Sequence, residues 1–338
     1  GFGVTREMVE RGITTSPSFV ALNRNKRSIA VDLACPAGQE AVRRMAAGCD
    51  VVVHNFRPGT MDRYGIGYEH LKAVRPDIIF CSFSAYGDEG PLAHIGANDL
   101  ALQAHSSLMS LTGEPGRPPV RCGTSVVDLH ASLALVIAIM AALMHRQKTG
   151  EGQQVGGSLL RSSAHLMNYF YGEYWTTGAI RGPMGTANHL SVPNQVFPTA
   201  DGSVVIIAPS DEMWIRCASA LDAEGLDRPE WRGLLDRQKH RAAIVEALSA
   251  ATAALTSDEV VARLGPAKVN VAKVNDMGQA ADHPQLAAAG AITSFEMDGR
   301  TVKAVCSPFG LAGAPRSPDR PPPALAEHTD EVLRELGI

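Results

Sequence analysis

The chain has 338 residues, 45% of them hydrophobic and 20% charged, a globular balance with length for about two domains and unlike a disordered chain. Its 31 Lys and Arg against 35 Asp and Glu leave a net charge of −4, which lacks the basic field that nucleic acid or an anionic membrane calls for. Six cysteines without a CxxC pair (Cys35, Cys49, Cys81, Cys122, Cys217, Cys306) predict reduced, mostly buried thiols rather than a disulfide framework or zinc site.

No secretory leader pattern opens the chain, so a cytoplasmic enzyme is expected. Its first residue is Gly1, not Met, and a natural segment is expected ahead of it. Residues 28–33 (SIAVDL) read as a short strand, and Pro36 starts the amphipathic helix of 38–47. The run 50–54 (DVVVH) suits a parallel strand buried on both faces. Residues 68–74 follow as a second short helix and 77–83 (DIIFCSF) as a third strand. Strand–helix alternation with such short connections predicts a doubly wound α/β sheet with right-handed crossovers. An apolar run at 129–144, broken by His130 and Ser132, falls short of a bilayer span and reads as a buried core helix.

Residues 148–152 are a loop by composition, and 168–175 a polar and aromatic connector. The texture changes near Asn188: a turn at 197–202 leads into a strand at 203–208, and Ala-rich charged helices fill 211–265. This is a second domain. The proline-rich 315–323 reads as extended, and Thr329 as the N-cap of a last helix at 330–336.

In open α/β sheets ligands bind at the carboxyl ends of strands. The loop His54-Asn55-Phe56-Arg57-Pro58-Gly59, with Arg63 beyond it, offers an amide, an aromatic face and two guanidinium groups. That set suits an anionic ligand carrying a planar ring, and equally describes a surface loop with solvated arginines. A second loop, 85–91, leaves the third strand. Asp128 stands directly before the apolar helix, where it reads as an N-cap or as a carboxylate nucleophile. Asp99, after Gly96-Ala97-Asn98, has the same two readings. The eleven histidines form no HExxH, and GxGxxG, P-loop and G-x-S-x-G patterns are all missing. No metal is expected, and His130 and His145 read as capping or surface residues.

Nine segments in order carry a resemblance: NRNKRSIAVDL at 23–33, NFRPG at 55–59 with Arg63, Tyr86-Gly87 ahead of Gly90-Pro91, SLTG at 110–113, and the Val127-Asp128-Leu129 junction. KTGEGQ at 148–153, FPTADG at 197–202, Val274-Asn275-Asp276 and EHTDEVL at 327–333 complete the set. From about residue 20 onward the chain resembles the family III CoA-transferases, the group of formyl-CoA transferase and carnitine CoA-transferase that also holds α-methylacyl-CoA racemase. Two features depart from it: Val155-Gly156-Gly157-Ser158 stands where the family has V-D-x-S, and 182–195 has no counterpart of the glycine-rich flap.

The resemblance implies a Rossmann-like large domain (1–165 and 286–338), a linker (166–190), a smaller α+β domain (191–285) and an interlocked homodimer. It also implies that an N-terminal strand–helix unit is missing from this chain. By position Asp128 corresponds to the catalytic aspartate, and Val31, Asp32, Leu33, Ala34, Asn55, Phe56, Arg57, Arg63, Gly96, Ala97, Asn98 and Asp99 to coenzyme A contacts. The implied reaction moves CoA from an acyl-CoA to a carboxylate through aspartyl-anhydride and aspartyl-CoA intermediates, with CoA as substrate and no resident cofactor. Two alternatives remain at this point. One is a 2-methylacyl-CoA racemase, against which Asn98 stands where that branch has a histidine; the other is a CoA-binding protein without catalysis.

Overall fold

The run 78–83 is apolar at nearly every position, so it can be stable only where both faces are covered. In the computed structural model, which describes residues 3–313 and 319–338, it supplies the middle strand of a parallel sheet. That sheet is ordered β1 (Val51–His54), β2 (Ile79–Ser84), β3 (Gln153–Ser158). Register pairs Val53 with Cys81 and Cys81 with Val155, and Ile79, Phe80 and Cys81 are buried. The helices Pro36–Ala47 and Tyr68–Val74 are placed as their periodicity predicts. Ala46 and Leu71 join Met61, Ile66, Ile78 and Phe80 in one cluster.

Strand β3 has no counterpart in the sequence reading. Gly156 and Gly157 are poor strand formers, yet Gly157 lies opposite Phe83. A Cβ on it would stand 2.6 Å from the Phe83 ring, so this pairing exists only without a side chain.

Residues 28–33 are a correction in the other direction: 28–32 have no regular secondary structure, Leu33 begins a turn, and none of them belongs to a sheet. The chain's far end takes the backbone groups a ladder would use. The Ser28 N–H donates to His328 Nδ1 at 3.2 Å, the Ala30 N–H to Thr329 Oγ1 at 3.0 Å, and the His328 N–H to the Ser28 carbonyl at 2.9 Å. Arg27 also pairs with Glu331 and Glu335. The last helix is Thr329–Glu335, with His328 rather than Thr329 at the N-cap position. Of the expected proline-rich stretch, 315–318 lies outside the described residues.

The chain divides into two compact units, one of residues 1–96, 131–158 and 278–338, the other of 97–130 and 159–277. The first also holds the hairpin β7 (Ile292–Met297) and β8 (Arg300–Val305), packed on Val20. The second holds the antiparallel sheet β4 (Asn194–Thr199), β5 (Gly202–Ile207), β6 (Asn270–Lys273). Its core gathers Phe197, Val204, Ile206, Trp214, Trp231, Ile244 and Leu248 with the helices of 211–264. The expected connector at 168–175 is instead the helix Asn168–Thr177, ended by Gly178 in the left-handed conformation. Its aromatic residues conceal the helical period, because nearly all of its positions stay solvent-accessible.

The apolar helix differs most from expectation. It runs 24 residues, Val126–Thr149, and by length and composition could cross a membrane. It is not a buried core helix within this chain: Leu133, Val136, Ile137, Met140 and Met144 are exposed, Ile137 by 69%. Only one narrow stripe, including Val127, Ala131 and Ala142, is buried.

Candidate active site

The long helix begins at Val126, and Ser125 accepts its first intrahelical bond, from the Leu129 N–H. Asp128 is therefore the third helical residue, not the N-cap expected from sequence. The capping role falls to a side chain 29 positions earlier. The Val127 N–H donates to Asp99 Oδ2 at 2.8 Å and the Asp128 N–H to the same oxygen at 3.2 Å. These are the donors an N-cap side chain satisfies.

Asp99 starts the helix Asp99–His105, whose N-cap is Asn98; the Asn98 side-chain oxygen accepts from the Ala101 N–H. The Asp99 side chain is buried, and its Oδ1 accepts from Gln103, which is buried too. Gln103 Oε1 in turn accepts from the Cys122 N–H at 2.9 Å. Asp128 itself is solvent-accessible. Even so, the protein around its carboxyl, and next the negative charge of Asp99, raise its proton affinity above the ordinary aspartate value. A carboxylate in that setting is a better nucleophile and base than one in water.

On the other side of the same helical turn, His130 Nδ1 meets Ser162 Oγ at 2.6 Å, and His165 Nδ1 meets His130 Nε2 at 3.2 Å. Burial, then the neighbouring His165, lower the proton affinity of His130. His130 thus joins two helices rather than capping one. The same unit carries a cavity of about 280 Å³ lined by Leu111, Met167, Phe170, Tyr171, Tyr174 and Arg181.

The first unit holds most of the residues assigned to coenzyme A contacts. Asn55, Phe56 and Arg57 leave the carboxyl end of β1 and are exposed, as is Arg63. Arg57 lies against Gly96: a Cβ there would stand 3.2 Å from Arg57 Nη2. The stretch Val31 to Ala34 turns into the helix Pro36–Ala47, with Asp32 Oδ1 accepting from the Ala34 N–H at 2.8 Å. Gly38 makes that turn feasible, because a Cβ would sit 2.0 Å from the Asp32 carbonyl oxygen. Beside this loop a cavity of about 290 Å³ is lined by His54, Phe56, Asp62, Tyr68, Ser84 and Asp88. Burial holds His54 neutral in spite of Asp88 and Asp62, and its Nδ1 has no protein partner. The second unit holds Ala97, Asn98, Asp99 and Asp128. Asp99 is the one whose side chain touches the Asp128 turn.

Residues 4–329 match the profile of CoA-transferase family III. The chain belongs to that family. A succinate–glutarate CoA-transferase of Agrobacterium fabrum is 31% identical over 320 residues, covering 94% of this chain and 80% of that one. The human succinyl-CoA:glutarate CoA-transferase is 31% identical over 327 residues, covering 96% and 74%. The crystal structure of a CAIB/BAIF family protein from Brucella suis superposes with a TM-score of 0.85 at 31% identity, over 95% of this chain and 84% of that one.

Sequence reasoning did not single out Gln103 or the bonds that the Asp99 side chain makes to it and to the Asp128 turn. The spacing Asp99–Gln103, four apart at a helix start, was the signal available, since such pairs meet on one helical face. Its target on the long helix was not readable, because the connection at 113–125 has no regular structure of its own beyond a turn.

Proposed function

We propose that this family III enzyme moves coenzyme A from an acyl-CoA to a small carboxylic acid, with Asp128 as the nucleophile. The observation that carries the proposal is a solvent-accessible carboxylate of raised proton affinity at the first turn of a helix whose end is capped by another residue. Asp128 attacks the thioester carbonyl, giving a mixed aspartyl–acyl anhydride and releasing CoA thiolate. The thiolate attacks the aspartyl carbonyl, giving aspartyl-CoA and the free donor acid. The acceptor carboxylate opens aspartyl-CoA to a second anhydride, and the thiolate attacks its acyl carbonyl, freeing acyl-CoA and Asp128.

A carboxylate attacks thioesters poorly, so the site must bind the remote nucleotide of CoA strongly and exclude water from the anhydride. The exposed Arg57 and Arg63 after β1 are suited to phosphate pairing and Phe56 to stacking the base. CoA is substrate here, not resident cofactor. The named substrates of the relatives, succinate and glutarate, support short dicarboxylates as donor and acceptor. The working form is a cytoplasmic homodimer in which a second copy covers the exposed face of the helix Val126–Thr149. Arg146 on that helix, ion-paired to Asp50 at 2.9 Å, favours a protein neighbour over lipid. Asn98, spent as an N-cap and unable to take up a proton, argues against two-faced proton exchange by a racemase.

The test is Asp128→Asn. It should abolish CoA exchange between succinate and glutarate while leaving the fold intact, because the helix cap comes from Asp99. Wild-type enzyme given succinyl-CoA alone should show a mass adduct on the peptide containing Asp128. Transfer that survives in the Asn variant refutes the nucleophile.

A further inference from the structure

We propose that Asp99 is the positioning residue for the Asp128 nucleophile. Its buried carboxylate, fixed by Gln103, takes the two backbone N–H groups of the helix turn that carries Asp128, and so sets both where that side chain stands and how tightly the helix end holds it. The inference rests on the reading of Asp128 as nucleophile and adds what prepares it.

Three donors converge on the two Asp99 oxygens: the Gln103 amide on Oδ1, and the Val127 and Asp128 N–H groups on Oδ2. As a carboxylate Asp99 offers an acceptor site to each of the three donors. Gln103 cannot flip to suit another partner, because its oxygen is held by the Cys122 N–H. The order of donors is thus fixed from Cys122 through Gln103 and Asp99 to the backbone of Asp128. Asp99 is 6% exposed and Gln103 0%, so water does little to screen or replace this chain.

The chemical consequence lies in the helix end. Unpaired N–H groups and the positive pole of a 24-residue helix would stabilise a carboxylate at its third position and blunt its attack. Asp99 takes up two of those N–H groups and places a negative charge beside the turn. The helix end thereby holds the Asp128 carboxyl less tightly, and the Asp99 charge is among the causes that raise its proton affinity. Direct contact with coenzyme A is a poor role for the Asp99 side chain. Its oxygens are already occupied, and a buried anion repels phosphate.

The experiment compares Asp99→Asn and the double variant Asp99→Asn with Gln103→Glu, both in the full chain, with Asp128→Asn as control. In the double variant the carboxylate introduced at position 103 accepts from both the amide introduced at position 99 and the Cys122 N–H. Every donor again has an acceptor, the bond between positions 99 and 103 runs the other way, and the negative charge moves one helical turn away. Folding is checked by circular dichroism, succinyl-CoA affinity by calorimetry, and the rate of the Asp128 adduct by quenched-flow mass spectrometry from pH 4 to 8. Asp99→Asn should slow adduct formation about 10–100-fold, change succinyl-CoA affinity less than about threefold, and move the acid limb to lower pH, since the freed N–H groups and the lost charge both favour Asp128 ionisation. The double variant should regain most of the rate and return the limb towards wild type. A wild-type rate in folded Asp99→Asn, or a loss confined to affinity, overturns the proposal. So does a slow variant with an unmoved acid limb and no recovery in the double, which is what a purely structural role predicts. If Asp128→Asn still transfers CoA, the nucleophile reading itself fails. If it is inactive while Asp99→Asn is normal, only the positioning role is lost.

Discussion

Arg237 sits with 0% exposure in the second unit, a fully buried cation that the sequence did not single out. Nε donates to the Val192 carbonyl at 2.8 Å, and Nη1 to the Trp231 and Arg232 carbonyls at 3.2 and 2.7 Å. Nη2 reaches the Pro209 carbonyl at 3.1 Å and Asp211 Oδ1 at 3.0 Å. The guanidinium also lies 6.0 Å from the Trp214 ring centroid. Arg237→Met keeps the aliphatic stem and leaves the carbonyls without donors. Those of Val192 and Trp231 are fully enclosed and cost about 1–3 kcal/mol each when unpaired. Those of Arg232 and Pro209 reach the boundary, where water replaces part of the bond. Asp211 is mostly solvated, so its lost partner adds little. The total is about 3–5 kcal/mol, in line with breaking other buried charged networks. For a unit of about 150 residues this lowers the thermal midpoint by about 6–20 °C. Calorimetry on the full chain reads it directly, and Arg237→Lys should fail to restore stability because one ammonium cannot serve carbonyls on three sides. A Met variant within about 1 kcal/mol of wild type would show that these bonds are replaced by water and refute the reasoning.

Arg57→Ala and Arg63→Ala should each weaken acyl-CoA binding by about 3–10-fold, a figure reduced for their exposure, and flatten its salt dependence; unchanged binding in both by calorimetry removes them from the phosphate site. Asp201 accepts from the Ser257 N–H at 2.7 Å, Ser257 Oγ at 2.8 Å and Thr199 Oγ1 at 3.1 Å, bonds that hold its carboxyl below the ordinary aspartate value. Its stabilisation is present above the unfolded value of about 3.9 and lost as pH falls through the folded one. Melting temperatures of wild type and Asp201→Asn should therefore differ at neutral pH and converge in acid, and parallel curves would refute this. If the proposed homodimer packs on the exposed face of the helix Val126–Thr149, Ile137→Asp there should shift sedimentation from dimer to monomer, and an unaltered dimer would place the interface elsewhere.

What the sequence determined by itself is what short-range physics controls. The apolar run of β2, the period of the helices Pro36–Ala47 and Tyr68–Val74, and the loop carrying Asn55, Phe56 and Arg57 depend on neighbours within a few residues. The ordered segments of the family were legible for the same reason. Tertiary structure alone decided the rest. Gly157 fits its strand because the Phe83 ring opposite leaves no room for a Cβ. Residues 28–33 leave the sheet because His328 and Thr329, 300 and 299 positions after their partners, take the backbone bonds. The helix Val126–Thr149 hides only a stripe, because one chain supplies too few neighbours to cover the remainder. Asp128 could be read as a helix-start aspartate, but a cap can come from any side chain that reaches the first turn. Only the fold brings Asp99 there, as the cap of the turn that carries Asp128.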